Sequence, residues 1–282
     1  MRLEPIIRPP SEADALILQP TYGCSHNRCA FCRTYQQRAF KARPLEEVLL
    51  EIDELAPVFA GVRKVFLGDG DPLALSTARL LPILAHIKAR LPSVRRITAY
   101  ASPSNFRNKR VEELARLRDA GLTQVYMGYE SGDDAVLEMM NKGNTRADIL
   151  SAADKLNEAG VRISAILILG VAGKKRSRAH AEASASVVNL TRPRFLSALT
   201  LMNPEGYAAR IRRPEFRPLS VVEVLTECHR LIEHIDANGI IFRANHVSNH
   251  LALEGVLQKS SARLLGEIAE AVAFWSNKSG FM

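Results

Sequence analysis

Short apolar runs alternate along the chain with longer stretches in which apolar residues return every three or four positions, the signatures of buried strand and amphipathic helix. Runs at 15–19, 64–68, 96–101, 124–129, 161–169 and 195–202 read as strands, and stretches at 45–55, 76–91, 110–120, 147–159 and 179–190 read as helices. Pro44 opens the first helix, and Gly121 and Gly160 follow the third and fourth, where a glycine ends the periodic run. Strand and helix in alternation predict parallel βα units. Six such units predict an α/β fold in the form of a complete or partial (β/α)6 barrel.

The rhythm breaks after 202. Asn203-Pro204-Glu205-Gly206-Tyr207 leads into Arg210, Arg212, Arg213, Pro214 and Pro218 before a helical stretch at 220–237. A segment of this kind following the sixth strand is expected to fold over the barrel mouth as a lid, or to run as a surface connector. Residues 240–250 begin apolar and end in hydrogen-bonding side chains, which suits a short strand closing one barrel edge. An amphipathic helix at 261–274 follows, with a frayed tail after Trp275. Three parts result: a lead-in at 1–13, a core barrel at 14–205 and a C-terminal extension at 206–282.

Apolar residues make up 47% of the 282 positions and charged ones 24%, the balance of a soluble globular chain with a sizeable core. Met1-Arg2-Leu3-Glu4-Pro5 lacks the basic-then-apolar start of a secretory signal, and no apolar run is long enough to span a bilayer. A cytoplasmic location without a membrane partner is expected. The net charge of +8 is compatible with a nucleic acid or another anion, but the charge is spread and aromatics are only 6%, which does not favour nucleic acid. Lys174-Lys175-Arg176-Ser177-Arg178 and Arg212-Arg213 are the local basic clusters. Each reads as a solvated loop, of the kind a small anionic substrate would also use.

Cys24, Cys29 and Cys32 lie close together just after the first predicted strand. Three thiolates can converge on one metal centre yet leave a four-coordinate site one ligand short. A closed structural zinc site takes four protein ligands, and iron–sulfur clusters usually take four cysteines, so a cluster on three would keep one iron open. A zinc knuckle completed by His26 or by a distant residue stays open as the alternative. A disulfide is disfavoured where thiols are kept reduced. Cys228 recurs at helical spacing with Val222, Leu225, Leu231 and Ile232 and reads as core.

In a barrel of parallel strands the loops after the strands share one face, and chemistry collects there. The cysteine loop follows strand one. Gly68-Asp69-Gly70-Asp71 follows strand two, Ser102 strand three, and Gly128-Tyr129-Glu130-Ser131-Gly132 strand four. Glu130 suits either the hydrogen bonds of a sugar or the start of a helix. Strand five ends in Ile168-Leu169-Gly170, apolar enough to pack on a flat ring. Their common place at strand ends is the argument for a site.

With Cys24-x4-Cys29-x2-Cys32, Phe31 before the last cysteine, a Gly-rich acidic turn after strand two and Glu-Ser-Gly after strand four, the chain resembles the radical S-adenosylmethionine superfamily. The likeness covers roughly 14–205 and is greatest to the branch that shares a core with the Elp and MiaB enzymes. It implies a partial TIM-like (β/α)6 barrel. It also implies a [4Fe–4S] cluster on Cys24, Cys29 and Cys32, with S-adenosylmethionine chelated by the open iron. An electron from a reductant such as flavodoxin or ferredoxin splits the sulfonium, and a 5′-deoxyadenosyl radical takes hydrogen from the substrate.

By the same similarity Phe31 lies beside the adenine, and Gly68, Asp69, Gly70 and Asp71 take the place of the family's Gly-Gly-Glu motif, which binds the methionine amino group. Glu130 with Ser131 reaches the ribose, Ile168 with Gly170 borders the adenine, and Ser102 joins the cofactor set. Two departures stand: four residues separate the first two cysteines where three is commonest, and Gly-Asp-Gly replaces Gly-Gly-Glu. A second cysteine group, a methylthiotransferase N-terminal domain, an acetyltransferase domain and a cobalamin domain are all missing from the pattern. A stand-alone hydrogen-abstracting enzyme is the expectation, with an anionic small molecule as substrate.

Arg212 and Arg213 suit a carboxylate or phosphate because each guanidinium offers paired donors, and Asn245, His246 and Asn249 are expected to face the cavity. The competing expectations are a tRNA-modifying enzyme of the same chemistry and a non-catalytic iron–sulfur or zinc module. No residue is assigned as a catalytic acid, base or radical relay.

Overall fold

The computed structural model describes residues 7–279; residues 1–6 and 280–282, the ends of the expected lead-in and extension, lie outside the described residues. In chain order the elements are β1 (Leu16–Leu18), β2 (Thr21–Tyr22), β3 (Lys41–Ala42), α1 (Leu45–Leu55), β4 (Lys64–Leu67), α2 (Thr77–Arg90) and β5 (Arg96–Ala101). They continue through α3 (Val111–Asp119), β6 (Leu122–Glu130), α4 (Asp134–Met139), α5 (Arg146–Glu158), β7 (Arg162–Leu169) and α6 (Gly173–Thr191). The last are β8 (Phe195–Thr200), α7 (Pro204–Ile211), α8 (Val221–Glu233), β9 (Ile241–Arg243), β10 (Glu254–Val256) and α9 (Ser261–Ser279). All six expected strands and all five expected helices of the repeating part are present, so the fold is α/β with parallel strands. No helix among the described residues is long and apolar enough to cross a membrane.

Four differences stand, and the first three have local causes. Residues 174–178, expected as a basic loop, form the first turns of α6, because Lys and Arg are good helix formers and only the glycine before them hid the start. The expected lid or connector holds α7, with Pro204 in its first turn and Asn203 accepting the Gly206 N–H at 2.9 Å. α4, for which no element was expected, is opened by Asp133, whose carboxylate accepts the Ala135 N–H. α9 continues past Trp275, where fraying was expected.

The described chain divides into two compact units, and the expected boundary at 205 falls inside the second. The first holds residues 7–27, 32–127 and 151–163. Here β1, β4, β5 and β6 pair in that order, all parallel, with Ile17 opposite Phe66 and Tyr100 opposite Tyr126. Val65, Phe66 and Leu67 of β4 are all buried, as a strand covered on both faces requires. Ala15, Ile17, Phe66 and Tyr126 pack as one cluster with Tyr100 against it, and the three aromatic rings meet edge to face.

The lead-in carries Glu12 into this core. Its carboxylate is 0% exposed and accepts from Arg96 at 2.9 Å and from the Tyr126 hydroxyl. Ser11 Oγ lies 2.8 Å from that hydroxyl. An interior carboxylate persists only when paired and hydrogen-bonded, so residues just before β1 are part of the core.

The second unit holds residues 28–31, 128–150 and 164–279. β7 pairs with β8 and β8 with β9 in parallel, and β10 closes the run antiparallel to β9. The strand expected at 240–250 is β9, but β10 and not β9 takes the edge. α8 opens on a capping box: Ser220 and Glu223 each accept the other's backbone N–H. Cys228 sits on the inner face of α8 at 2% exposed, as its helical spacing indicated.

Replacing Glu12 with Ala leaves Arg96 and Tyr126 facing a void, and a loss of about 3 kcal/mol in unfolding free energy is expected from breaking such a pair. Urea denaturation of the variant beside wild type measures it.

Candidate functional site

In the first unit the Gly68–Asp71 turn lies against the start of the cysteine loop. A β-carbon on Gly70 would stand 2.2 Å from the Gly23 carbonyl oxygen and 2.6 Å from Cα of Cys24, so only glycine fits. Gly23 itself has φ +69°. The two acidic side chains of the turn flank Cys24. Asp69, wholly buried with φ +66°, accepts the Gly23 N–H at 2.9 Å and pairs with Arg38 at 3.3 Å. Asp71, 1% exposed, accepts the Ser25 hydroxyl.

Further partners hold this turn. Asn105 donates to Asp71 at 3.1 Å and accepts the Ser102 N–H at 2.6 Å, so Ser102 serves as the cap of the short turn after β5. The Lys109 ammonium donates to the carbonyls of Leu73 and Asn105, and burial pulls its pKa below the usual lysine range against the opposing charge of Asp71. Tyr35 donates its hydroxyl to Asp69; burial, then the charge of that carboxylate, pushes its pKa up. Arg38, Tyr35, Asn105 and Lys109 carried no signal in the sequence. Each is an ordinary residue whose partner is distant along the chain.

In the second unit Arg28–Phe31 is held from two sides. The Ala30 N–H donates to the Met140 carbonyl at 2.8 Å, and the Ala30 carbonyl accepts from Arg210 of α7 at 2.9 Å. Asn141 donates to the Arg28 carbonyl at 3.0 Å. Lys142 stands over the Phe31 ring, 5.9 Å from its centre, and pairs with Glu130 at 2.8 Å. Gly128 makes room for that pair: a β-carbon there would lie 2.0 Å from the Glu130 carboxylate and 3.1 Å from the Lys142 nitrogen. Glu130 has φ +62°, backbone strain of the kind found where geometry is held for use.

Ser131 is wholly buried, 2.8 Å from Nδ1 of His180. Ile168 and Gly170 end β7, and the Gly170 N–H donates to Glu227 at 2.7 Å. Asn249 is spent on β8, accepting from the N–H and hydroxyl of Thr200 and donating to the Ala198 carbonyl, each at 2.9 Å. His246 closes its own turn through Ser248. Asn245, Arg212 and Arg213 are exposed, and neither arginine forms an ion pair among the described residues.

Cys24, Cys29 and Cys32 are all half-buried and none is in a disulfide. Among the described residues no three His, Cys, Asp or Glu side chains are gathered as a metal site. The donor set still suits an iron–sulfur group: three reduced, partly accessible thiols without a fourth. Metal binding and the ordering of its ligands are coupled.

Comparison with known proteins gives the same direction. The radical SAM superfamily is matched over residues 18–182, more than half of the chain. A tRNA-2-methylthio-N(6)-dimethylallyladenosine synthase of Alkalilimnicola ehrlichii is 30% identical over 179 residues, 60% of this chain and 39% of that protein. The heme chaperone HemW of Bacillus subtilis is 23% identical over 158 residues, 54% of this chain and 41% of that protein. The chain thus spans well under half the length of these curated relatives. Coproporphyrinogen III oxidase of Escherichia coli superposes with TM-score 0.58 at 18% identity, covering 78% of this chain and 52% of that one. Methylornithine synthase superposes with TM-score 0.55 at 16% identity, covering 92% and 85%. At these identities the superpositions show the fold alone.

Two outcomes are expected here. In Asp69→Ala the Gly23 N–H loses a charged acceptor, and its hydrogen exchange rises about 10- to 100-fold, read by mass spectrometry of the loop peptide. In native metal-free protein at pH 8, Cys24, Cys29 and Cys32 react with a thiol reagent. Cys228, its thiol pushed up to about 12 by burial and then by the charge of Glu227, stays neutral and reacts only after unfolding.

Proposed function

The chain belongs to the radical SAM superfamily, and from this we propose that it is an enzyme that cleaves S-adenosylmethionine reductively and takes hydrogen from an anionic small molecule. Cys24, Cys29 and Cys32 would hold the [4Fe–4S] cluster, and a donor of the flavodoxin or ferredoxin kind would supply the electron. When bound, cluster and S-adenosylmethionine together supply the 5′-deoxyadenosyl radical, chemistry that belongs to the cofactors and not to the side chains.

The residues of this chain bind and orient. Phe31 offers a flat face to the adenine, with Ile168 and Gly170 on its border. Glu130 and Ser131 stand at the strand end assigned to the ribose, the first oriented by Lys142 and the second by His180. The carboxylates of Asp69 and Asp71 are engaged with Gly23 and Ser25. Their work on this reading is to hold the loop around Cys24, which leaves backbone atoms of the turn for the methionine amino group.

One observation favours an anionic small molecule over tRNA: three of the four cations at 174–178 are paired within the fold. Lys174 pairs with Glu223 at 2.6 Å, Arg176 with Asp133 at 2.7 Å and Arg178 with Glu182 at 2.8 Å. Arg212 and Arg213, at the end of α7, keep their charge for a ligand. The tRNA reading is carried by a relative named for tRNA modification and by the net charge of +8.

Anaerobic reconstitution with iron and sulfide, followed by dithionite and S-adenosylmethionine, is expected to yield 5′-deoxyadenosine from wild type and none from Cys29→Ala. A full cluster without 5′-deoxyadenosine in wild type would support a non-catalytic cluster protein. For RNA, a plot of log affinity against log salt is expected to be shallower than about −1, since each single-strand phosphate contact contributes roughly −0.7. A steeper slope would restore tRNA as the substrate.

A further inference from the structure

His180 and Glu227 are buried polar side chains that the proposed reaction does not use. Glu227 projects from α8 at 2% exposed, and His180 from α6 at 1%. One Glu227 carboxylate oxygen accepts the Gly170 N–H at 2.7 Å and the other accepts the Ser177 hydroxyl. His180 Nδ1 lies 2.8 Å from Ser131 Oγ, while Nε2 lies 3.2 Å from the Ile168 carbonyl oxygen and 3.7 Å from Glu227.

The hydrogen-bond network assigns the protons. The Ile168 carbonyl can only accept, so Nε2 of His180 donates to it. In the tautomer this selects, Nδ1 accepts the proton of Ser131 Oγ, which itself accepts the Asp133 N–H at 3.0 Å. The strand end that carries Ser131 and the one that carries Ile168 and Gly170 are therefore tied to the same imidazole, and the Gly170 turn is tied to α8.

This arrangement is costly as core packing. An apolar side chain at 227 would avoid burying a carboxylate whose nearest cation-capable partner is 3.7 Å away. Gly170 holds φ +80°, a conformation that aims its N–H at Glu227 and that a side chain would resist. The group's stake is in the orientation of one peptide and one hydroxyl.

We propose that His180 and Glu227 are positioning residues for the nucleoside half of S-adenosylmethionine. Glu227 fixes the Gly170 turn that borders the adenine, and His180 fixes Ser131 on the ribose side. Helix α8, outside the family-matched residues 18–182, thereby becomes part of the cofactor site without touching the cofactor. The inference rests on the nucleoside placement given under the proposed function.

The test is binding of 5′-deoxyadenosine, by calorimetry, to anaerobically reconstituted protein of measured iron content. Glu227→Ala is expected to weaken it about 10- to 100-fold, the range for losing a hydrogen bond to a charged group, with iron content unchanged. Glu227→Gln keeps an acceptor for Gly170 and should recover most of the affinity; His180→Gln should weaken binding in the same way as Glu227→Ala. Wild-type affinity in both Glu227→Ala and His180→Gln overturns the inference. So does a Gln variant that loses iron and nucleoside together, since that marks a structural role only. Should Glu227→Ala not fold, Glu227→Gln and His180→Gln decide alone. Wild type that takes up iron and binds no nucleoside overturns the proposed function itself, an outcome distinct from the others.

Discussion

The carbonyl of Gly23 and the peptide of Gly70 approach so closely that a single methyl group on Gly70 would overlap the chain beside Cys24. Contact of backbone with backbone at that distance is available only to glycine. Asp69 can reach the Gly23 amide and Asp71 the Ser25 hydroxyl because the turn lies flat against the loop. Both carboxylates are buried by the same approach, and each is kept there by cations or donors: Arg38 and Tyr35 for Asp69, Asn105 for Asp71. Burial of charge without such partners would not persist.

The second unit solves a related problem with different means. Its share of the loop, Arg28–Phe31, is gripped through backbone atoms by Met140, Asn141 and Arg210. Its strand ends are set by paired or hydrogen-bonded side chains, Lys142 with Glu130 and His180 with Ser131. Gly128 leaves space for the first pair and Gly132 for α6, whose Ala183 carbonyl would lie 2.2 Å from an added β-carbon. In each unit the candidate site residues are held by hydrogen bonds and ion pairs from neighbouring side chains and backbone. That arrangement suits a reaction whose chemistry is supplied by cofactors, where the protein must orient and exclude.

Charge is used locally in the same spirit. The run at 174–178 reads as a solvated loop along the chain, yet on α6 Lys174, Arg176 and Arg178 meet Glu223, Asp133 and Glu182. Asn249, which seemed free to face a ligand, is the clamp of β8. Arg212, Arg213 and Asn245 are left exposed.

Periodicity and spacing in the sequence determined the α/β alternation, nearly every strand and helix of the repeating part, the core place of Cys228 and the three-cysteine motif. These are legible because they depend on neighbours within a turn of helix or a step of strand. Family likeness followed from the motif. Only the tertiary structure decided that Asp69 and Asp71 hold the loop, that Glu12 belongs to the core, that Arg210 reaches Ala30 across 180 positions, and that Glu227 and His180 face the strand ends. Hydrogen bonds and ion pairs between residues so far apart leave no period or spacing to read. Whether a polar side chain is spent inside the fold or left for a ligand depends on which distant partner the packing brings to it.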